Sequence, residues 1–137
     1  MSENVIHRAS TTPNVNDHLG IRTIEATKER VILAVEVGPT VHQPYGILHG
    51  GVSALLAEGA ASFAGALNVG DDQIVVGTEL NCSHLRPMTH GTLRATATPI
   101  RIGRSVQVWG IELRDEKERL ISVARCSLQV LAAPPAS

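Results

Sequence analysis

Glu58 and Ser62 stand four residues apart inside an apolar run, and the triplet His49-Gly50-Gly51 stands just ahead of it. A carboxylate can deprotonate water or attack a carbonyl carbon itself. Backbone N–H groups at Gly50 and Gly51, in a first helical turn, would lack intrahelical partners and would carry the positive end of the helix dipole. Such donors suit a carbonyl oxygen on its way to becoming an oxyanion, and glycine lets a ligand approach closely. Each feature also has a plainer reading. Glu58 can be a solvated helix acid, Ser62 a small packing residue, His49 a residue that orients the loop, and the glycine pair a tight turn into the helix.

These residues have to be positioned by the helix itself. Val52, Leu55, Leu56, Gly59, Ala60, Phe63 and Leu67 recur at intervals of three and four, which predicts one buried face on a helix from the glycine pair to about Leu67. At about 100° per residue, Glu58 and Ser62 share the flank of that stripe, beside Ala54, Ala61 and Gly65. Little water is expected there, and burial raises the basicity of a carboxylate unless hydrogen-bond donors compensate.

Two strands are expected before the helix, at Ile21 to Thr27 and Arg30 to Val37, with Lys28-Glu29 as their turn. Four follow it: Ile74 to Leu85, Thr92 to Ile102, Ser105 to Arg114 and Leu120 to Leu131. Six strands and one long helix predict an α+β domain, an antiparallel sheet covered on one face by the helix. The exposed edges and bare face of such a sheet point to a homo-oligomer, a dimer at least. Residues 1–16 and 132–137 are polar or Pro-rich and aperiodic, so flexible ends are expected around a domain of residues 17–131.

Gln43, His49-Gly50-Gly51 and Ala57-Glu58 together resemble the motif of the hotdog-fold acyl-CoA thioesterases, in the branch of phenylacetate-pathway and 4-hydroxybenzoyl-CoA thioesterases. Within it the chain is most similar to enterobactin proofreading and 1,4-dihydroxy-2-naphthoyl-CoA thioesterases, the latter from menaquinone biosynthesis. The resemblance continues through Val75 to Pro87, Gly91 to Trp109 and Asp115 to Leu120, in the family's order. It implies a hotdog fold, a sheet wrapped around a central helix, and hydrolysis of an acyl-CoA, with aromatic acyl groups favoured. Glu58 matches the family's catalytic carboxylate, as nucleophile or general base. The N–H of Gly50 matches the oxyanion donor, and Ser62 matches a hydroxyl that holds the hydrolytic water. Gln43 and His49 match polar residues near the thioester. In a hotdog dimer the acid and the glycine turn can come from opposite subunits; a dimer of dimers, hence a homotetramer, is the expected assembly. No separate cofactor is implied, because coenzyme A is part of the substrate.

The phosphates of coenzyme A call for arginine, whose fork matches phosphate oxygens. Arg101, Gly103, Arg104 and Ser105, around a glycine turn, are the candidates, and the resemblance places them with His84 and Arg86 near the nucleotide; solvated surface arginines are the plainer reading. Leu48, Val52, Leu55, Phe63 and the strand around Val76 offer an aliphatic lining for an aryl ring or a medium acyl chain.

Composition excludes several alternatives. With 137 residues the chain suits one domain. A net charge of -1 and single Phe, Tyr and Trp residues argue against nucleic-acid binding. No apolar run approaches a membrane span and no leader pattern opens the chain, so a cytoplasmic protein is expected. The six histidines form no HExxH and no short-range ligand pair, which predicts no metal site. No G-x-S-x-G occurs. Cys82 and Cys126 lie in strand-like patterns and read as small apolar residues rather than a disulfide. Two rivals share the fold: a hydroxyacyl-thioester dehydratase, and a non-catalytic acyl-CoA binding module. The His-Gly-Gly turn followed by a helical Glu favours the thioesterase.

Overall fold

The structure, a computed structural model, describes residues 12–135. Six strands, β1 (Arg22–Ala26), β2 (Val31–Val37), β3 (Gln73–His84), β4 (Gly91–Ile102), β5 (Val106–Arg114) and β6 (Leu120–Ala132), form one antiparallel sheet in the order β1-β2-β4-β5-β6-β3. The long helix, Gly50–Ala66, lies against β2 to β6. This is the expected hotdog arrangement, and every strand lies within a residue of its sequence-derived bounds.

Two elements escape the strand-and-helix pattern. A short helix α1, Val15–Leu19, sits where a flexible end was expected, so the boundary at residue 16 is too late. Asn14 accepts from the Asn16 N–H at 3.0 Å and Asp17 from the Asn14 N–H at 2.9 Å, a reciprocal cap that offsets the nucleation cost of so short a helix. A 3-10 turn, Pro39–Val41, leads into the loop before the long helix, α2. At the other end, Ala132 completes β6 and the Ala133 N–H donates to Asp72, so this part of the tail is tied to the sheet. Residues 1–11 and 136–137, within the two ends expected to be flexible, lie outside the described residues.

The buried face of α2 differs from the expected stripe. Ser53, Leu56, Ala57, Ala60, Ala61, Ala64 and Gly65 are buried, whereas Val52, Leu55, Gly59, Phe63 and Leu67 are only half-buried. The sheet selects the small residues because they let the helix axis come close, and leaves the bulkier ones to the flanks. Leu56 anchors the contact; a fully buried leucine contributes about 1.5–3 kcal/mol. Further along, the fully buried Trp109 donates through Nε1 to Gln107, whose own Nε2 donates to the carbonyl of Gly65. That chain of bonds satisfies buried polar atoms while tying β5 to the C-terminal end of α2.

The β5–β6 turn is held by Asp115, 4% exposed, whose carboxylate accepts from the N–H groups of Lys117 and Arg119 and from the Arg119 guanidinium. Burial pushes its pKa up, but these donors outweigh that and hold it below the ordinary carboxylate value. A carboxylate depressed in the fold contributes stability that is complete above its unfolded pKa, near 4, and is lost as pH falls through the folded value. Wild type should therefore be more stable than Asp115→Asn at neutral pH, with the gap closing below about pH 4. Urea midpoints across pH 3 to 7 read this directly; a gap that widens in acid would refute it.

Candidate active site

The entrance to α2 is built by its loop. The Leu48 N–H donates to the carbonyl of Met88 and the His49 N–H to that of Val41, which fix the chain before it turns. His49 is the N-cap, and its Nδ1 accepts from the Gly51 N–H at 2.8 Å. Accepting at Nδ1 places the ring proton of neutral His49 on Nε2. The cap also separates the two glycines: the N–H of Gly51 is used, and that of Gly50 has no hydrogen-bond partner among the described residues. Only one of the two expected backbone donors is therefore free.

Gly50 also lies against His84. A Cβ at Gly50 would stand 2.8 Å from the His84 Nε2, so a side chain there would displace the imidazole. His84 is held from behind, its Nδ1 3.2 Å from the hydroxyl of the fully buried Ser122. Gln43 accepts the Tyr45 N–H with its side-chain oxygen, which leaves its amide nitrogen to donate. Gln43, Gly50, Ser53, His84, Arg86 and Ser122 share one cleft of about 400 Å³ with Leu48 and other apolar neighbours.

Glu58 and Ser62 are elsewhere. They line a second cleft of about 460 Å³ with Gly51, Ala54, Leu55, Gly59 and Leu80, rimmed by Val15 and Asn16 of α1. Glu58 is exposed, contrary to the dry setting expected of it, because none of the described residues covers that flank of α2. Its carboxylate rests against Gly77, where a Cβ would come within 2.7 Å of Oε2. An irregularity in the β3–β6 register falls between Gly77 and Glu79, so the strand bends where the acid lies. The charges of Glu58 and Glu79, after burial, push the Cys126 thiol up to about 11; both cysteines are free.

The expected site residues thus divide. Gln43, Gly50, His84 and Arg86 come together, and Glu58 with Ser62 form a second group. Gly50 and Glu58, eight positions apart on one helix, are separated by about 12 Å along its axis. His49 serves its own helix as a cap. Arg101, Gly103, Arg104 and Ser105 occupy the β4–β5 hairpin, where the Gly103 N–H donates to Val106 and the Ser105 carbonyl accepts from Val130 and Gln129. Their hairpin lies at the opposite end of the sheet from His84. Ser122 pairs with His84 and Gln129 with Val106, and these positions are separated by about 23 Å along β6. One chain does not bring the two phosphate candidates together. Of the expected acyl lining, Leu48 and Leu55 reach the clefts; Val52 and Phe63 pack against the core instead.

Ser122 and Gly77 carry no motif in the sequence, and Ser53, inside the helix and outside any G-x-S-x-G elbow, has none that marks it as a site residue. Only the capping pattern at Asn14 to Asp17 was available to signal the α1 rim.

The Thioesterase superfamily profile matches residues 45–122, which contain His49, Gly50, Glu58, Ser62 and His84. A 1,4-dihydroxy-2-naphthoyl-CoA hydrolase of Listeria monocytogenes is 43% identical over 116 residues, covering 85% of this chain and 94% of the relative. A proofreading thioesterase of Klebsiella pneumoniae is 43% identical over 125 residues, covering 90% of each. A crystal structure of a Haemophilus influenzae thioesterase superposes with a TM-score of 0.86 at 39% identity, over 96% of this chain and 91% of that one. Among the described residues no helix is long and apolar enough to cross a membrane. With fold, ordered motifs and relatives in agreement over nearly its whole length, the chain belongs to the thioesterase superfamily and is a hotdog-fold thioester hydrolase.

Proposed function

We propose that the chain hydrolyses aromatic acyl-CoA thioesters at composite sites between two copies of itself. The observation that carries this reading is the division of the chemistry: a carboxylate in one cleft and an unpaired N–H in the other, about 12 Å apart along the same helix. Both groups must come within about 3 Å of one carbonyl to act on it together. A second chain, running antiparallel beside the first, supplies each cleft with what it lacks. Among the described residues the long strand β3 is an edge of the sheet, with backbone groups on its outer side available to receive it.

In such a site the Gly50 N–H of one subunit polarises the thioester oxygen, and Glu58 of the other faces the carbonyl carbon. As a base, Glu58 takes a proton from water while the new hydroxide bonds to carbon. The oxyanion that forms is held at Gly50; its collapse breaks the C–S bond and releases the coenzyme A thiolate, which takes up a proton. As a nucleophile, a Glu58 carboxylate oxygen bonds to the acyl carbon, the C–S bond breaks and the coenzyme A thiolate leaves, and water then opens the resulting anhydride to the free acid and Glu58. Ser62, which lines the same cleft as Glu58, holds the water in either route under this reading. Arg86, with Arg101 and Arg104 of a hairpin, serves the nucleotide phosphates of coenzyme A, while His84, packed against Gly50, stays beside the thioester. A dimer of such dimers would complete the assembly.

The aromatic preference is supported by the Listeria relative, named for a naphthoyl thioester, and by the aliphatic walls of Leu48 and Leu55. A dihydroxynaphthoyl substrate would place the enzyme in menaquinone biosynthesis. Free-thiol release should give a higher kcat/KM for 4-hydroxybenzoyl-CoA or 1,4-dihydroxy-2-naphthoyl-CoA than for palmitoyl-CoA, by about tenfold or more, a difference of about 1.4 kcal/mol in transition-state binding. A clear preference for palmitoyl-CoA would reject it.

A further inference from the structure

We infer that Ser53 is a second catalytic hydrogen-bond donor, its hydroxyl acting on the thioester oxygen beside the N–H of Gly50. The inference rests on the thioesterase reading above and deepens it. Ser53 is 1% exposed and lines the cleft that also holds Gly50, Gln43 and His84. Its hydroxyl is buried with no hydrogen-bond partner among the described residues. A helical serine normally turns its hydroxyl back to the carbonyl four residues earlier. Here that carbonyl, of His49, already accepts the N–H groups of Val52 at 2.9 Å and Ser53 at 3.4 Å, which occupies both of its lone pairs.

The neighbouring positions sharpen the contrast. Every other buried residue on this face of α2 is Ala, Leu or Gly, so helix packing alone gives no reason for a hydroxyl. Ser122, equally buried, has its partner in His84. Leaving a desolvated donor unpaired is unfavourable unless something else supplies an acceptor. Oxyanion sites ordinarily present more than one donor. The N–H of Gly51, the expected companion to Gly50, is taken by the His49 cap. Ser53 stands three residues beyond Gly50, less than one helical turn away, and both residues line one cleft. As the oxygen gains charge, the hydroxyl in its dry setting strengthens its bond, and the contribution falls on turnover rather than on ground-state binding.

The test compares wild type, Ser53→Ala and Ser53→Cys in steady-state hydrolysis of 4-hydroxybenzoyl-CoA, with a thermal melt of each. Both variants should lose kcat by about a hundredfold to a thousandfold, the range seen when one oxyanion donor goes, with KM within about threefold. The Ala variant should melt no lower than wild type, since it removes an unsatisfied buried group. Should the Ala variant fail to fold, the Cys variant, close to serine in volume and a poor donor, decides alone. A folded variant with kcat within twofold of wild type overturns the inference, as does a raised KM at unchanged kcat, which would place Ser53 on the coenzyme A arm. An active wild type beside an unaffected variant removes this inference alone; a wild type inactive on the thioester removes the underlying reading as well.

Discussion

Glu58→Gln should lower kcat by at least ~10², because the amide keeps the shape of the side chain while losing the basicity and nucleophilicity of the carboxylate. Among the described residues Glu58 bonds to no other side chain, and it lies exposed on the flank of α2, so the substitution should change the stability of the fold by no more than about 0.5 kcal/mol. The variant should keep its circular dichroism, its assembly state and its KM. Steady-state thioester hydrolysis by the purified variant decides the matter. A folded Glu58→Gln enzyme that retains more than about a tenth of wild-type kcat would remove the carboxylate from the chemistry.

Two inactive variants should restore each other. Gly50→Ala drives a methyl group against the His84 imidazole and crowds the free N–H, so it should be nearly silent, as should Glu58→Gln. If each site takes Gly50 from one subunit and Glu58 from the other, a mixed dimer contains one doubly damaged site and one intact site. Random reassortment of equal amounts should then return about a quarter of wild-type activity, since half the dimers are mixed and each carries one good site of two. Mixing after mild denaturation and refolding, with activity followed against the mixing ratio, provides the measurement. No recovery despite demonstrated subunit exchange would place both groups of a working site in the same chain.

The helix, the six strands and the motif residues were legible in the sequence because their signals are local. Alternating Val31, Leu33, Val35 and Val37 mark β2 with its inward side chains, and Gly103 breaks β4 from β5 as its position suggests. The buried face of α2 was misjudged for a physical reason: periodicity gives weight to bulk, whereas a curved sheet in close contact accepts Ala57, Ala60, Ala61 and Ala64 and turns Leu55 and Phe63 aside. Ser53 could not be singled out either, since its distinction is the absence of a partner, visible only once His49 and Ser122 have been placed. Gly77 presented the same difficulty, because its need for a bare Cα comes from Glu58, nineteen positions away in the chain. The resemblance puts His84 near the nucleotide, whereas its contact with Gly50 depends on the pairing of β3 with β6, which no local signal reveals.

The division of labour around α2 bears on how such an enzyme can change its diet. The alanine-lined side sets how closely helix and sheet fit, and a single added methylene there would strain a close-packed contact. Leu55 and Gly59, with Val15 and Asn16 of α1, line the acid's cleft and are all at least partly exposed to solvent. Substitutions at these four positions can reshape the cavity while the fold registers little change in stability, because surface positions outside the core seldom shift it by more than about 0.5 kcal/mol. With the acyl group in this cleft, as the proposed composite site would have it, mutational drift could explore new acyl groups on the flank without eroding the foundation on the inner side. A library confined to these positions is the economical place to look for altered substrate preference.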